Sequence, residues 1–307
     1  YGISNVQPKN ILKNYISIKK NNLVISDKSK KINYKNINRI FILCVGKASV
    51  DMAETAKKIL SKSSFKITKG IVVVNKENFK KINGFNCFSS GHPVPNKNGL
   101  KASKFVENYL EKSEEDDLVL IFISGGGSSL LPYPVENISL TEKININKQL
   151  LKSGANIKEI NTIRKHLSKI KGGNLVKICQ PSRVHCFILS DVVGDDLSSI
   201  ASGLTVPDNT DFKETEKILK KYALWRKVSK NIKEHINKGK IDKKIETPKK
   251  NNPIFKKVKN TLIGSNSMCL ESLNDYCKKK KIPSTIWKKN IENDVKELAK
   301  VFVRDLK

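Results

Sequence analysis

The sequence predicts an α/β protein: a Rossmann-like, mostly parallel sheet flanked by helices, with part of a second α/β unit at the C-terminal end. Two observations carry that expectation. From about Ile37, short apolar runs rich in Val, Ile and Phe alternate with longer amphipathic segments, the rhythm of βαβ units. The small, polar and charged residues then collect where apolar runs end, in CVGKAS, ISGGGSS, SSGHPVPN and LSDVVGDDL. Ligand-handling groups in open parallel sheets lie at the carboxyl ends of strands, so this clustering agrees with the rhythm.

The elements follow in order. RIFILCVG (39–46) is a strand that feeds the helical run KASVDMAETAKKIL (47–60), and GIVVVN (70–75) is the next strand. FNCFSS (85–90) precedes the helix NGLKASKFVENYL (98–110), and LVLIFIS (118–124) leads into a long helical region. Helices fill most of 139–178. The first opens on a capping box, Ser139 with Glu142, and the second, NIKEINTIRKHLSKIKGG (156–173), ends on a glycine pair suited to a helix stop. RVHCFILS (183–190) is a strand, followed by the polar, glycine-bearing stretch DVVGDDLSSIASGLTVPDNT and the helix TEKILKKYAL. Residues 227–259 turn lysine-rich and read either as a linker or as a solvated helix and loop. KNTLIGSNSMCLESLNDYCKKKKI with STIWKKNI forms a further β-α-β pattern, and VKELAKVFVRDLK is a closing helix. The expected organisation is an α/β domain over 1–240, then a linker and the start of a second α/β unit over 241–307.

Length permits a substantial core, as one large domain or two ordinary ones. Charge is the unusual quantity: 59 basic against 29 acidic residues give a net +30, which suits an anionic partner. Only five of the basic residues are arginine, however, and the lysines are scattered among Asn and Ile. Sequence-reading proteins favour the rigid donor fork of arginine, so this distribution reads as compositional drift and not as a nucleic-acid groove. The six cysteines lie far apart without a C-x-x-C pair and read as buried hydrophobes in a reducing compartment. No apolar run approaches the roughly 20 residues that span a bilayer, and no charged-then-apolar leader opens the chain. The expectation is a cytoplasmic protein without membrane or nucleic-acid partners, beginning inside a longer product because its first residue is Tyr1.

Four strand ends hold the candidate chemistry. In CVGKAS, Gly46 and Lys47 open a helix, with Ser49 beside them. This is not a P-loop, because Phe41 stands where the first glycine belongs. A lysine at a helix start is electrostatically unfavourable unless an anion sits there; otherwise it is an exposed surface lysine. In SGGGSS, Leu130 replaces the third glycine of a dinucleotide fingerprint. Ser124, Gly125, Gly126, Gly127, Ser128 and Ser129 could still form a phosphate nest, against the alternative of a tight structural turn. His92, between Gly91 and Pro93, is held towards extended geometry and is a candidate ligand contact or a structural histidine. Asp191, Asp195 and Asp196 follow a buried strand and suit Mg²⁺ or a general base, or helix capping. Lysine, glycine loop and carboxylates together suggest phosphoryl transfer, which depends on positioning and charge neutralisation.

GKAS with Met52, GHPVPN, SGGGSSLL, SGANIKEINTIRKHLSKIKGG and LSDVVGDDLSSIASG, in that order, closely resemble the glycerate 2-kinase family, over roughly 37–222 and more weakly to about 266. The resemblance implies ATP-dependent phosphorylation of D-glycerate at its 2-hydroxyl, with Mg²⁺, in a cleft between an N-terminal α/β region and a C-terminal MOFRL domain. By motif, Lys47 would contact phosphate or carboxylate, and 124–129 would form the anion loop. Arg164, Lys165 and His166 would present basic groups to the cleft. Asp191, Asp195 and Asp196 would share metal and base duties, with Asp191 and Asp195 the metal candidates and Lys47, Asp191 and Arg164 the catalytic ones. Two departures stand out. Leu204 occupies a position where the family generally has proline, and the chain stops where the MOFRL domain should begin. The resemblance thus implies a fragment, or a form completed by another chain, with weak or no kinase activity of its own. A homodimer is compatible with it. Hydroxypyruvate reductase, a label carried by relatives, is the alternative activity, and a non-catalytic basic module is a third.

Overall fold

Seven parallel strands need both faces covered, and the continuous apolar runs of this chain are what such burial requires. The computed structural model describes residues 1–20, 22–27, 30–291 and 294–306. Helices α1 (Gly2–Val6) and α2 (Pro8–Tyr15) lead into strands β1 (Ile16–Lys19), β2 (Asn22–Asp27) and β3 (Lys30–Tyr34), which pair as a small antiparallel sheet. The remaining elements are β4 (Arg39–Val45), α3 (Ser49–Leu60), β5 (Lys66–Ile67), β6 (Gly70–Asn75), β7 (Phe85–Ser90), α4 (Lys97–Leu110) and β8 (Leu118–Ile123). Then come α5 (Gly127–Leu130), α6 (Leu140–Lys152), α7 (Ile157–His166), α8 (Asn174–Ile178), β9 (Arg183–Leu189), α9 (Phe212–Lys221), α10 (Lys230–Ile241), β10 (Val258–Gly264), α11 (Asn266–Lys279) and α12 (Val295–Asp305).

The large sheet runs β10-β9-β8-β4-β6-β7, with β5 beside β4, and every pairing is parallel. One face carries Leu43, Val73, Ile121 and Cys186 against α4 and α8. The other carries Ile42, Val72, Phe122 and Phe187 against α2, α3 and the antiparallel sheet. A third core, with Ile146, Ile163, Phe212 and Ile236, holds α6, α7, α9 and α10 together as a helical layer of their own. Helix starts follow their local chemistry: α6 and α7 both open on complete capping boxes, Ser139 with Glu142 and Asn156 with Glu159.

Three expectations change, and of the two readings for the lysine-rich stretch the helix and loop holds. The boundary at 240 does not divide the sheet, because β10 pairs in parallel with β9 and forms its edge. Residues 284–290 are not a strand; β10 already ends the sheet, and Trp287 instead stacks edge-on against Phe302 of α12 at 5.0 Å. The helix through RKHLS ends at His166, before the glycine pair, since Gly172 and Gly173 both take positive φ in the turn into α8. The lysine-rich stretch is helical over α10, where Ile232 and Ile236 are buried.

Candidate active site

The chain winds outward from β4 through β6 to β7, and from β8 through β9 to β10, so the order reverses between β4 and β8. That reversal opens a crevice at the carboxyl ends of the strands. Two loops meet there. The Lys47 amide donates to the Gly125 carbonyl at 2.8 Å, and the Ala48 amide donates to the Ser124 hydroxyl at 3.0 Å. Gly46 takes φ 126° with its α-carbon facing Ser124, so a side chain would collide there.

The glycine triplet is explained by what lies against it. A Cβ on Gly125 would strike the Asp191 carboxylate; one on Gly126, at φ 86°, would lie 2.9 Å from the His92 ring and 3.4 Å from the Lys47 side chain. Lys47, His92 and Asp191, from the ends of three strands, therefore converge on one loop. Burial first, then the Lys47 ammonium, hold the His92 imidazole below the ordinary histidine range, against the opposing pull of Glu77 and Asp191. Lys47 and Asp191 are both exposed.

Other expected site residues turn elsewhere. Ser49 is fully buried and donates to the Val73 carbonyl at 3.2 Å, and Ser124 is spent on the Ala48 amide. Gly127 packs on Ala201, and the Ser129 hydroxyl donates to the Gly126 carbonyl. Lys165 and His166 face away from the glycine loop: Lys165 pairs with buried Asp208 at 3.1 Å, and His166 lies between the Thr162 carbonyl at 2.8 Å and Glu246 at 3.0 Å. Asp196 accepts from the Ser198 amide and from the Ser198 and Ser199 hydroxyls, a local side-chain turn, while the short helix at Ile200–Ser202 has no side-chain cap. Burial works against its charge, and those hydrogen bonds outweigh burial, holding its pKa below the usual range. Asp195 sits in a tight turn at φ 55°. Among the described residues no three His, Cys, Asp or Glu side chains gather as a metal cage.

A cavity of about 250 Å³ adjoins the loop, between Gly126, Ser128, Ser129 and His92 on one side and α6 and α7 on the other. Arg164 lines it, and its neighbours there, Lys143, Lys148 and Lys171, were not anticipated. A signal existed for one of them. Lys143 shares a helix stripe with buried Ile146 and Leu150, a cation where the 3.6-residue period demands an apolar side chain.

A family described as a domain of unknown function, DUF4147, matches residues 1–237. The glycerate 2-kinase of Pyrococcus horikoshii is 34% identical over 98% of this chain and 65% of its own length. The D-glycerate 2-kinase of Thermotoga maritima is 36% identical over 89% of this chain and 62% of its own. A crystal structure of a P. horikoshii protein superposes with a TM-score of 0.81 at 34% identity, covering 91% of this chain and 61% of that one. The chain thus spans somewhat under two thirds of the relatives it matches. On a family match that covers most of its length and a shared α/β architecture, the chain belongs to the DUF4147 family.

Proposed function

We propose that the protein acts as a glycerate 2-kinase, transferring the γ-phosphoryl group of ATP to the 2-hydroxyl of D-glycerate. The observation that carries this reading is the convergence of Lys47, His92 and Asp191 on a side-chain-free loop at the sheet's reversal point, in a chain 34% and 36% identical to two glycerate 2-kinases. Lys47 would neutralise charge on the transferring phosphoryl group, and the backbone of Gly125 and Gly126 would let the phosphates approach closely. His92, held neutral at pH 7, would accept the hydroxyl proton as the oxygen attacks phosphorus and ADP leaves.

Asp191, exposed beside Gly125, fits a magnesium contact. Mg²⁺ is usually held by one or two carboxylates together with substrate phosphates, which asks for no protein cage. When bound, the ion would offset charge on the phosphates. Asp195, constrained in its turn, is the second candidate ligand. The compartment we propose is cytoplasmic, since all six cysteines are free thiols.

The test is glycerate-dependent release of ADP, measured with the chain joined to a C-terminal MOFRL domain and with the same protein carrying Lys47→Met. The substitution should lower the rate at least about tenfold, the equivalent of roughly 1.4 kcal/mol of transition-state stabilisation. Unchanged turnover in a folded variant would remove Lys47 from the chemistry. Glycerate-independent oxidation of NADH with hydroxypyruvate would point instead to the reductase.

A further inference from the structure

The cavity beside the glycine loop gathers basic side chains that no carboxylate answers among the described residues. It is lined by Lys143, Lys148, Arg164, Lys171 and His92 and, among the described residues, by no aspartate or glutamate. Lys143 and Lys171 are 3% and 1% exposed. Their ammonium groups reach only neutral oxygens. Lys143 donates to the carbonyls of Leu167 at 2.6 Å and Arg164 at 3.3 Å; Lys171 donates to the Ser128 carbonyl at 2.7 Å and its hydroxyl at 3.1 Å. Arg164 donates from Nε to the Asn147 side-chain oxygen at 3.2 Å. The contrast with buried Lys165 and half-buried Arg39 is sharp, since each reaches a fully buried carboxylate, Asp208 and Asp117. Buried cations without a counter-charge are costly, and methionine or leucine would fill the same volume without that cost.

We infer that Lys143, Arg164 and Lys171 form the binding site for the carboxylate of a short hydroxy acid, and that the site takes up protons as the acid binds. The assignment rests on reading the protein as one that acts on a small acid. Size supports the class of ligand. The cavity lies below the roughly 300–1,000 Å³ of sites for drug-sized molecules, so a three- or four-carbon acid suits it and a whole nucleotide does not. The groups facing the three cations are Asn147 and Lys148 from α6, Ser128 and Ser129 from the glycine loop, and His92, none of them acidic. Burial, and then Arg164, bring Lys143 down to about 7; burial, Lys143 and Arg164 hold Lys171 well below the ordinary lysine range. A bound carboxylate favours the charged form of both. Proton uptake therefore accompanies binding near neutral pH, and affinity weakens as pH rises above 7.

The experiment is calorimetric titration of the wild-type chain with D-glycerate near pH 7.5, in buffers of different ionisation enthalpy. Net proton uptake is expected, with affinity falling between pH 7 and pH 9. Lys143→Met and Lys171→Met should each weaken binding at least about tenfold. Lys171→Arg keeps a charge that does not titrate, so it should bind while taking up fewer protons, which keeps the test readable if the methionine variants fold poorly. Binding without proton uptake, or tight binding of inorganic phosphate in place of D-glycerate, would overturn the inference. So would undiminished D-glycerate binding by both methionine variants, an outcome that leaves the kinase reading standing. Failure of the wild-type chain to bind D-glycerate under any of these conditions would remove both.

Discussion

A single methyl group at residue 125 would collide with the Asp191 carboxylate and displace it from its place against the loop. Displacement of about an ångström at a reacting centre can cost on the order of a hundredfold in rate. Gly125→Ala should therefore lower glycerate-dependent ADP release about a hundredfold, while far-ultraviolet circular dichroism remains that of the folded chain. A rate within threefold of wild type would make the triplet a structural turn. At this scale the sequence was informative where a residue type is unusual for its place: three glycines, a lysine after Gly46, a histidine before Pro93. It was silent on Lys171, whose burial depends on Ser128, far away in the chain.

Helix α7 shows why a motif can be found and still be misassigned. Successive residues on a helix point about 100° apart, so Arg164 lines the cavity while Lys165 and His166 turn to the network of Asp208 and Glu246. Of these three, Arg164 alone lies beside the loop's cavity. Other elements were legible for clear reasons: the Ser139–Glu142 capping box is local chemistry, and β4, β6 and β8 hold continuous apolar runs because both faces are covered. Pairing is not local, so nothing in KNTLIG said that it would join β9. The network makes an acid-stability prediction. Burial pushes the Glu246 carboxyl up, but His166 and Lys249 outweigh burial and hold it at about 2, against an ordinary 4.5. A depressed carboxylate contributes stability that is full above pH 4.5 and is lost as pH falls from 4.5 towards 2. Glu246→Gln should lower stability at pH 7 and flatten its decline over that window, as read from urea midpoints. Parallel declines in the two proteins would exclude the pair as a source of acid sensitivity.

For the molecule as a whole, the sheet is the common floor of two cores. Phe122 is fully buried and stacks on Phe187 at 5.0 Å, in the layer beneath α3. Phe122→Ala should cost about 3–5 kcal/mol in urea unfolding, as truncation of a buried aromatic in a close-packed core usually does. A loss below about 1 kcal/mol would mean that the layer collapses around the gap. The net charge of +30 is carried outside these cores, and exposed ion pairs such as Lys80 with Glu54 add little to stability.

The helical layer has a core separate from those of the sheet, and the cavity lies where they meet: Lys171 follows Ile170 of the sheet's core, while Lys143 and Arg164 belong to α6 and α7. Burial keeps both lysines short of protons while the site is empty, so hydrogen bonds to neutral oxygens, and not charge, bridge the seam. An anion placed there would call charge into the seam, and the same three side chains would then tie the helical layer to the sheet through it.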